Sequence, residues 1–190
     1  MSDHGHHRHG KSKAGDDVAP SSHAHHHRKA ATTTVSVAIV TVSDTRTLET
    51  DTGGALVAEL LEAAGHEVHD RRIVADEPAT IEAAARSGLE TQGVGAVILT
   101  GGTGVAPRDV TPESVEPLLE RTVPGFGELF RMLSYEDIGS AALLSRALAG
   151  LARGRVVFVI PGSRGAVRLA MEKLILPELG HLTAEAVKTR

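Results

Sequence analysis

Val94-Gly95-Ala96-Val97-Ile98-Leu99-Thr100-Gly101-Gly102-Thr103-Gly104 is the stretch on which the fold turns. Its run Ala96-Val97-Ile98-Leu99 is apolar at every position, which suits a central strand covered by helices on both faces and not a strand with one wet side. The strand predicted over Val94 to Thr100 stops at a cluster of glycines. Upstream, Val35 to Val42 reads as another buried strand. Leu56, Val57, Leu60, Leu61 and Ala64 follow at helical spacing, and Gly65 supplies a stop. Glu67 to Val74 is predicted as the next strand, and a helix opening near Pro78 carries Ile81, Ala84, Ala85 and Leu89 on one face.

Downstream, Thr111-Pro112-Glu113 opens a helix, with Thr111 as candidate N-cap and Pro112 in its first turn. Gly125 to Tyr135 and Ile138 to Arg146 look helical but short. Arg155 to Ile160 is a fourth strand, ending at Pro161-Gly162-Ser163, where Ser163 can cap a helix bearing Val167, Leu169, Ala170 and Leu174. A final helix is predicted from Pro177 to Lys188. Strands alternating with helices in this way indicate βαβ units, an α/β class and a mostly parallel sheet.

The 190 residues suffice for one ordinary domain plus an extra segment. That segment is the N-terminus, where eight histidines fall within the first 27 residues among Gly, Ser, Lys and Asp. With almost no large apolar side chains it cannot bury enough surface to order itself, so residues 1–33 are predicted to be a disordered His-rich tail and residues 34–190 the folded domain. The clustered histidines could bind Zn²⁺, Ni²⁺ or Cu²⁺, or simply solubilise the chain.

Net charge is −4, yet residues 1–34 hold five Lys/Arg against three Asp/Glu, leaving 15 against 21 for the rest. An acidic domain without a basic stripe argues against duplex nucleic acid as a partner. Aromatic content of 2%, with no Trp, removes stacking platforms for single strands. The absence of cysteine excludes disulfides, thiolate nucleophiles and cysteine-ligated metals. The first apolar run is too short to span a bilayer or to form a signal core, so a cytoplasmic protein with no membrane association is expected.

Two loops follow apolar strands: Thr100-Gly101-Gly102-Thr103-Gly104 and Pro161-Gly162-Ser163. In open parallel sheets ligands collect beyond the carboxyl ends of strands, so the two would border one crevice. Glycines leave backbone N–H groups uncovered, and a curled glycine loop can cradle phosphate oxygens. It is neither a Walker A loop, since no Gly-Lys-Ser/Thr follows, nor Gly-x-Gly-x-x-Gly, since Pro107 stands where the last glycine would be. On the loop alone, a phosphate cradle and a tight turn that merely needs glycine both stay open. Asp109 should face the same rim, as a cation ligand, a helix-terminus charge or a partner of Arg108. Asp76 is a further candidate, or a cap for the helix near Pro78. Asp44 and Asp51, with Ser43, Thr52, Gly53 and Gly54, form a third polar cluster at the exit of the first strand.

Taken together, Thr41-Val42-Ser43-Asp44, Asp51-Thr52-Gly53, Thr100-Gly101-Gly102-Thr103-Gly104, Asp109-Val110-Thr111-Pro112-Glu113, Pro124-Gly125-Phe126-Gly127-Glu128, Leu144-Ser145-Arg146 and Pro161-Gly162-Ser163 resemble the MoaB/Mog family of molybdenum cofactor biosynthesis proteins. Phe130 to Gly139 looks closer to the MoaB branch. The resemblance implies a three-layer α/β/α fold, a trimer or hexamer, a molybdopterin site and other proteins of the same biosynthesis as partners. In the Mog branch the terminal phosphate of molybdopterin attacks the α-phosphorus of ATP and pyrophosphate departs. By motif, the two family aspartates of that reaction fall on Asp76 in Val74-Ala75-Asp76-Glu77 and on Asp109 in Arg108-Asp109-Val110. Val74-Ala75 departs from the proline that Mog-type sequences place before the first carboxylate.

Adenylyl transfer asks for in-line positioning and charge neutralisation and needs no covalent nucleophile, which a cysteine-free chain can satisfy. Asp76 and Asp109 are thus expected to hold Mg²⁺ with ATP. Substrate contacts are expected from Ser43, Asp44, Thr100, Gly101, Gly102, Thr103, Gly104, Ser145, Arg146, Pro161, Gly162 and Ser163. Arg146 would pair with a phosphate or sit in an ion pair. Two other readings compete: a pterin-binding scaffold without activity, and a metal-handling protein working through its tail.

Overall fold

The computed structural model describes residues 1–2 and 33–188, so the histidine tail and its expected disorder lie outside the described residues. The domain is built on a six-stranded sheet ordered β2-β1-β3-β6-β5-β4. β1 (Ser36–Val42), β2 (Glu67–Val74), β3 (Val94–Thr100) and β6 (Arg155–Ile160) run parallel. β1, β3 and β6 are nearly continuous in apolar residues because helices cover both faces, whereas the edge strand β2 alternates Val68, Ile73 and Val74 with charged, partly exposed side chains.

On one face α1 (Thr52–Ala63), α4 (Pro124–Ile138) and α5 (Arg164–Ala170) pack over the sheet. α5 continues through a π-helical turn, Met171–Ile175, into α6 (Leu176–Ala186). Leu56, Leu61, Phe130, Val167, Met171 and Leu179 meet Val37, Ile39, Ile98, Phe158 and Ile160 there. On the other face α2 (Pro78–Glu90) and α3 (Thr111–Val115) bring Ile81, Ala85, Leu89 and Val115 against Ala38, Val40, Val97, Leu99 and Val157. The alternate positions of β1 and β3 divide between the two cores, and the three-layer α/β/α architecture follows. Among the described residues no helix is long and apolar enough to cross a membrane.

Register decides what the strands deliver. Thr41 lies opposite Ile73 on one side and Thr100 on the other, and Thr100 lies opposite Ile160, so four parallel strands end flush. α1 leaves β1 towards one face and α3 follows β3 on the opposite face. This divergence opens a crevice at the carboxyl edge.

Three sequence expectations need correction. A hairpin of β4 (Arg121–Thr122) and β5 (Leu148–Ala152) extends the sheet antiparallel beside β6, where no strands were expected. Residues 139–144, expected to be α-helical, form a 3₁₀ turn, Gly139–Leu144. Thr111 is not an N-cap: Val110 occupies that position, and the Thr111 hydroxyl caps nothing.

Candidate functional site

The glycine loop after β3 divides its work. Gly101 takes a φ of +106°, and its N–H donates to the Ile160 carbonyl at 3.0 Å, extending the β3–β6 ladder by one bond. A Cβ there would press on the Val42 carbonyl oxygen, so glycine is required for the close approach of β1. Thr100 is fully buried, and its hydroxyl donates to the Pro161 carbonyl at 3.3 Å, tying the two expected loops together. The N–H groups of Gly102, Thr103 and Gly104 find no acceptor among the described residues. These three amides, and not that of Gly101, are the donors left for a ligand.

Gly102, Thr103 and Gly104 line a cleft of about 340 Å³ with Asp109, Ser145, Pro161, Gly162 and Ser163. Phe130, Ile138, Ala142 and Leu144 supply an apolar wall, and Ser134 adds a hydroxyl beside them. The size and the mixture of apolar wall and few polar groups suit a small ligand. Ser134 escaped the sequence reading, although it lies one helical turn from Phe130 and so shares its face. Ser163 caps α5, accepting the Ala166 N–H at 3.3 Å, as its position after Pro161-Gly162 predicts. Gly162 backs onto α1: a Cβ on Gly53 would lie 2.9 Å from the Gly162 oxygen, which explains glycine at position 53.

On the other side of Gly102 lies an acidic group. Asp76, just beyond β2, keeps Oδ1 buried and without a hydrogen-bond partner, while its N–H donates to Asp44 Oδ1 at 3.1 Å. Loss of water raises the Asp76 carboxyl above its ordinary range; the charge of Asp44 adds to this, Arg108 opposes it, and Asp109 and Glu77 contribute further. Arg108 bonds to Asp44 and lies 3.5 Å from Glu77, holding the rim together. Asp109 Oδ2 accepts the Ala106 N–H at 2.9 Å. Thr111 Oγ1 is also buried and unpartnered. Asp76 Oδ1 and Thr111 Oγ1 both border the space that a side chain on Gly102 would fill.

Arg146 reaches the loop from behind. Its Nε donates to the Gly104 carbonyl at 2.7 Å, its other nitrogens bond to the Asp109 carbonyl and to Glu113, and its own N–H donates to the Thr103 carbonyl at 3.1 Å. The guanidinium is therefore committed to bracing the loop, and Ser145 beside it faces the cleft. Ser43 and Asp44 line an adjoining depression with Arg46 and Arg71. Asp51 belongs to no rim at all. It is 1% exposed, accepts from Thr41 Oγ1 at 2.7 Å and from the Gly54 N–H at 2.9 Å, and is the N-cap of α1.

Among the described residues no three His, Asp or Glu side chains converge on a common point. A protein-only metal cage is therefore not what the side chains form. A magnesium ion needs only one or two carboxylates when phosphates and water complete its shell, and the unpartnered Asp76 Oδ1 with Asp109 nearby fits that requirement.

A family model described as "Probable molybdopterin binding domain" matches residues 38–181. Molybdenum cofactor biosynthesis protein B from Bacillus cereus is 57% identical over 152 residues, covering 80% of this chain and 90% of that one. A crystal structure of a molybdenum cofactor biosynthesis protein B superposes with a TM-score of 0.80 at 55% identity, covering 82% of this chain and 98% of the other. A MogA structure gives 0.72 at 30% identity, covering 80% and 99%. The larger identity lies on the side of protein B, in keeping with the MoaB-like segment from Phe130 to Gly139.

Proposed function

The chain belongs to the molybdopterin-binding-domain family of molybdenum cofactor biosynthesis proteins, and from this we propose that it binds molybdopterin and adenylylates it with magnesium-bound ATP. The observation that bears most weight is the meeting, at one flush sheet edge, of three unpartnered backbone amides and the unpartnered carboxylate oxygen of Asp76. Donors for an anion and an oxygen for a cation both lie at Gly102. That is the arrangement a phosphate-bearing substrate and a metal-bound triphosphate would require.

In the proposed reaction a terminal phosphate oxygen of molybdopterin forms a bond to the α-phosphorus of ATP. The bond from that phosphorus to the bridging oxygen breaks, and pyrophosphate leaves with the electron pair. The amides of Gly102, Thr103 and Gly104 would hold one anion, and the backbone after Pro161 the other. The apolar wall formed by Phe130, Ile138 and Leu144 would exclude water from the pterin side. Asp76 and Asp109 would hold the magnesium ion, whose charge offsets that developing on the leaving group. Arg146 would act through the loop it braces.

The outer side of α4 supports the further proposal of a trimer or hexamer. Leu129, Met132 and Tyr135 recur every third residue and are all exposed, with Leu143 beyond them. Large apolar side chains exposed in a row of this kind fit an interaction surface.

The decisive experiment incubates the protein with molybdopterin, ATP and Mg²⁺ and follows pyrophosphate and adenylylated pterin. Asp109→Asn, which keeps size and removes charge, should lower turnover on the order of 100-fold while molybdopterin binding survives. Binding without any pyrophosphate from the parent chain would mark it as a pterin-binding protein only.

A further inference from the structure

Thr111 opens α3, yet nothing within the fold accounts for its hydroxyl. The residue is fully buried, and Oγ1 has no hydrogen-bond partner, an uncommon condition for a buried polar group. Its backbone is pinned, since its N–H donates to the Gly102 carbonyl at 3.1 Å. The local bond that such a hydroxyl often makes, to a carbonyl one turn back, is made instead by Ser114, to Val110 at 2.8 Å.

The oxygen that Thr111 faces is equally unsatisfied. Asp76 Oδ1 arrives from the end of β2, more than thirty residues earlier in the chain, and the two atoms flank Gly102. A Cβ on Gly102 would lie 2.9 Å from Asp76 Oδ1 and closer still to Thr111 Oγ1. Gly102 itself has a φ of +61°, so glycine both permits the turn and lets the two oxygens approach the backbone this closely.

We propose that the Thr111 hydroxyl is a ligand to the divalent cation that enters with the nucleotide, forming with Asp76 Oδ1 a two-oxygen half-site across Gly102. This deepens the adenylyltransferase reading and rests on it. One neutral and one anionic oxygen suit a hard cation that takes its remaining ligands from phosphates and water. Phosphate-binding loops elsewhere use the same pair of groups, a hydroxyl and an Asp, for magnesium. A lone water would satisfy the hydroxyl but leave the Asp76 charge among Asp44, Asp109 and Glu77 with Arg108 as the one cation against them. A cation answers both needs.

The test uses the full-length chain, Mn²⁺ as a paramagnetic probe and a non-hydrolysable ATP analogue, with free Mn²⁺ read by electron paramagnetic resonance. Thr111→Val, which replaces the hydroxyl by a methyl of the same shape, should weaken nucleotide-dependent Mn²⁺ binding about 10-fold or more. Thr111→Ser should bind as the parent does. The melting temperature of Thr111→Val should be unchanged or higher, because an unpartnered buried hydroxyl is lost.

Unchanged Mn²⁺ affinity in Thr111→Val, in a parent chain that binds the metal nucleotide and releases pyrophosphate, overturns this inference alone. A large fall in melting temperature with unaltered affinity overturns it too, by making the hydroxyl structural. Absence of nucleotide-dependent Mn²⁺ binding in the parent overturns it together with the proposed function.

Discussion

At the exit of β1, Asp51 and Thr41 meet beside Gly54; further along the same edge, Asp76 and Thr111 flank Gly102. The residue types are identical and the outcomes opposite. In the first trio the Thr41 hydroxyl donates to Asp51, the Gly54 N–H completes the cap, and Arg71 Nε lies 3.8 Å from the same carboxylate. In the second, Oδ1 of the aspartate and the threonine hydroxyl are both buried and without partners. A carboxylate saturated by its own fold serves that fold, and one left with unmet valence is available to something from outside.

Three substitutions can break or sharpen that contrast. The largest effect is expected for Asp51→Ala, which strips a buried hydroxyl and a helix N-terminus of their acceptor and Arg71 of its counter-charge. It should cost about 3 kcal/mol in urea unfolding, whereas Asp76→Ala should cost almost nothing. Equal costs would erase the distinction between the trios. Gly102→Ala comes next. It places a Cβ between the two unpartnered oxygens on a residue with positive φ, and should lower stability by about 1–2 kcal/mol while abolishing metal-nucleotide binding. Wild-type Mn²⁺ affinity in that variant would show that the gap has no occupant.

The smallest effect is a pH dependence. Burial lifts the Asp76 carboxyl above its usual 3.8 in the folded chain, so the folded state holds the proton more tightly than the unfolded one. Stability therefore falls as pH rises from below 4 through the raised value, and the penalty is fully present at neutral pH. Asp76→Asn should be the more stable protein at pH 7, with the advantage vanishing below about pH 4. Chemical unfolding at several pH values measures it, and a pH-independent difference would contradict the desolvation of Asp76.

Much of this was legible in the sequence, for reasons that differ by element. β1, β3 and β6 were readable because each is a short, mainly apolar or β-branched run, and a strand covered on both faces has no other way to look. β5 hid because Leu148-Ala149-Gly150-Leu151-Ala152 contains no β-branched residue. Its glycine is there because a Cβ on Gly150 would lie 2.6 Å from the Arg121 carbonyl, a constraint imposed by the neighbouring strand. The pair Arg153-Gly154, both with positive φ, was the one local sign of a tight hairpin.

The site shows the same split. Glycine loops after parallel strands announced the crevice, and Gly102 to Gly104 and Pro161 to Ser163 do share one cleft. Which carboxylate would be sealed and which left open was not legible, because partners are set by strand register and not by spacing. Asp51 and Asp76 look alike in a list of polar residues, and they separate only once Thr41 is seen to reach the former. The grip of Arg146 on a loop some forty residues away is likewise a product of folding.

The chain has no tryptophan, and its single tyrosine, Tyr135, stands 64% exposed in the apolar row on α4. Its three phenylalanines lie inside, with Phe126 packed 5.3 Å from Phe158 and 6.5 Å from Phe130. Near-ultraviolet emission from this protein thus arises essentially from one spot on its outer surface. The molecule carries a built-in optical label, responsive to whatever comes to cover that helix.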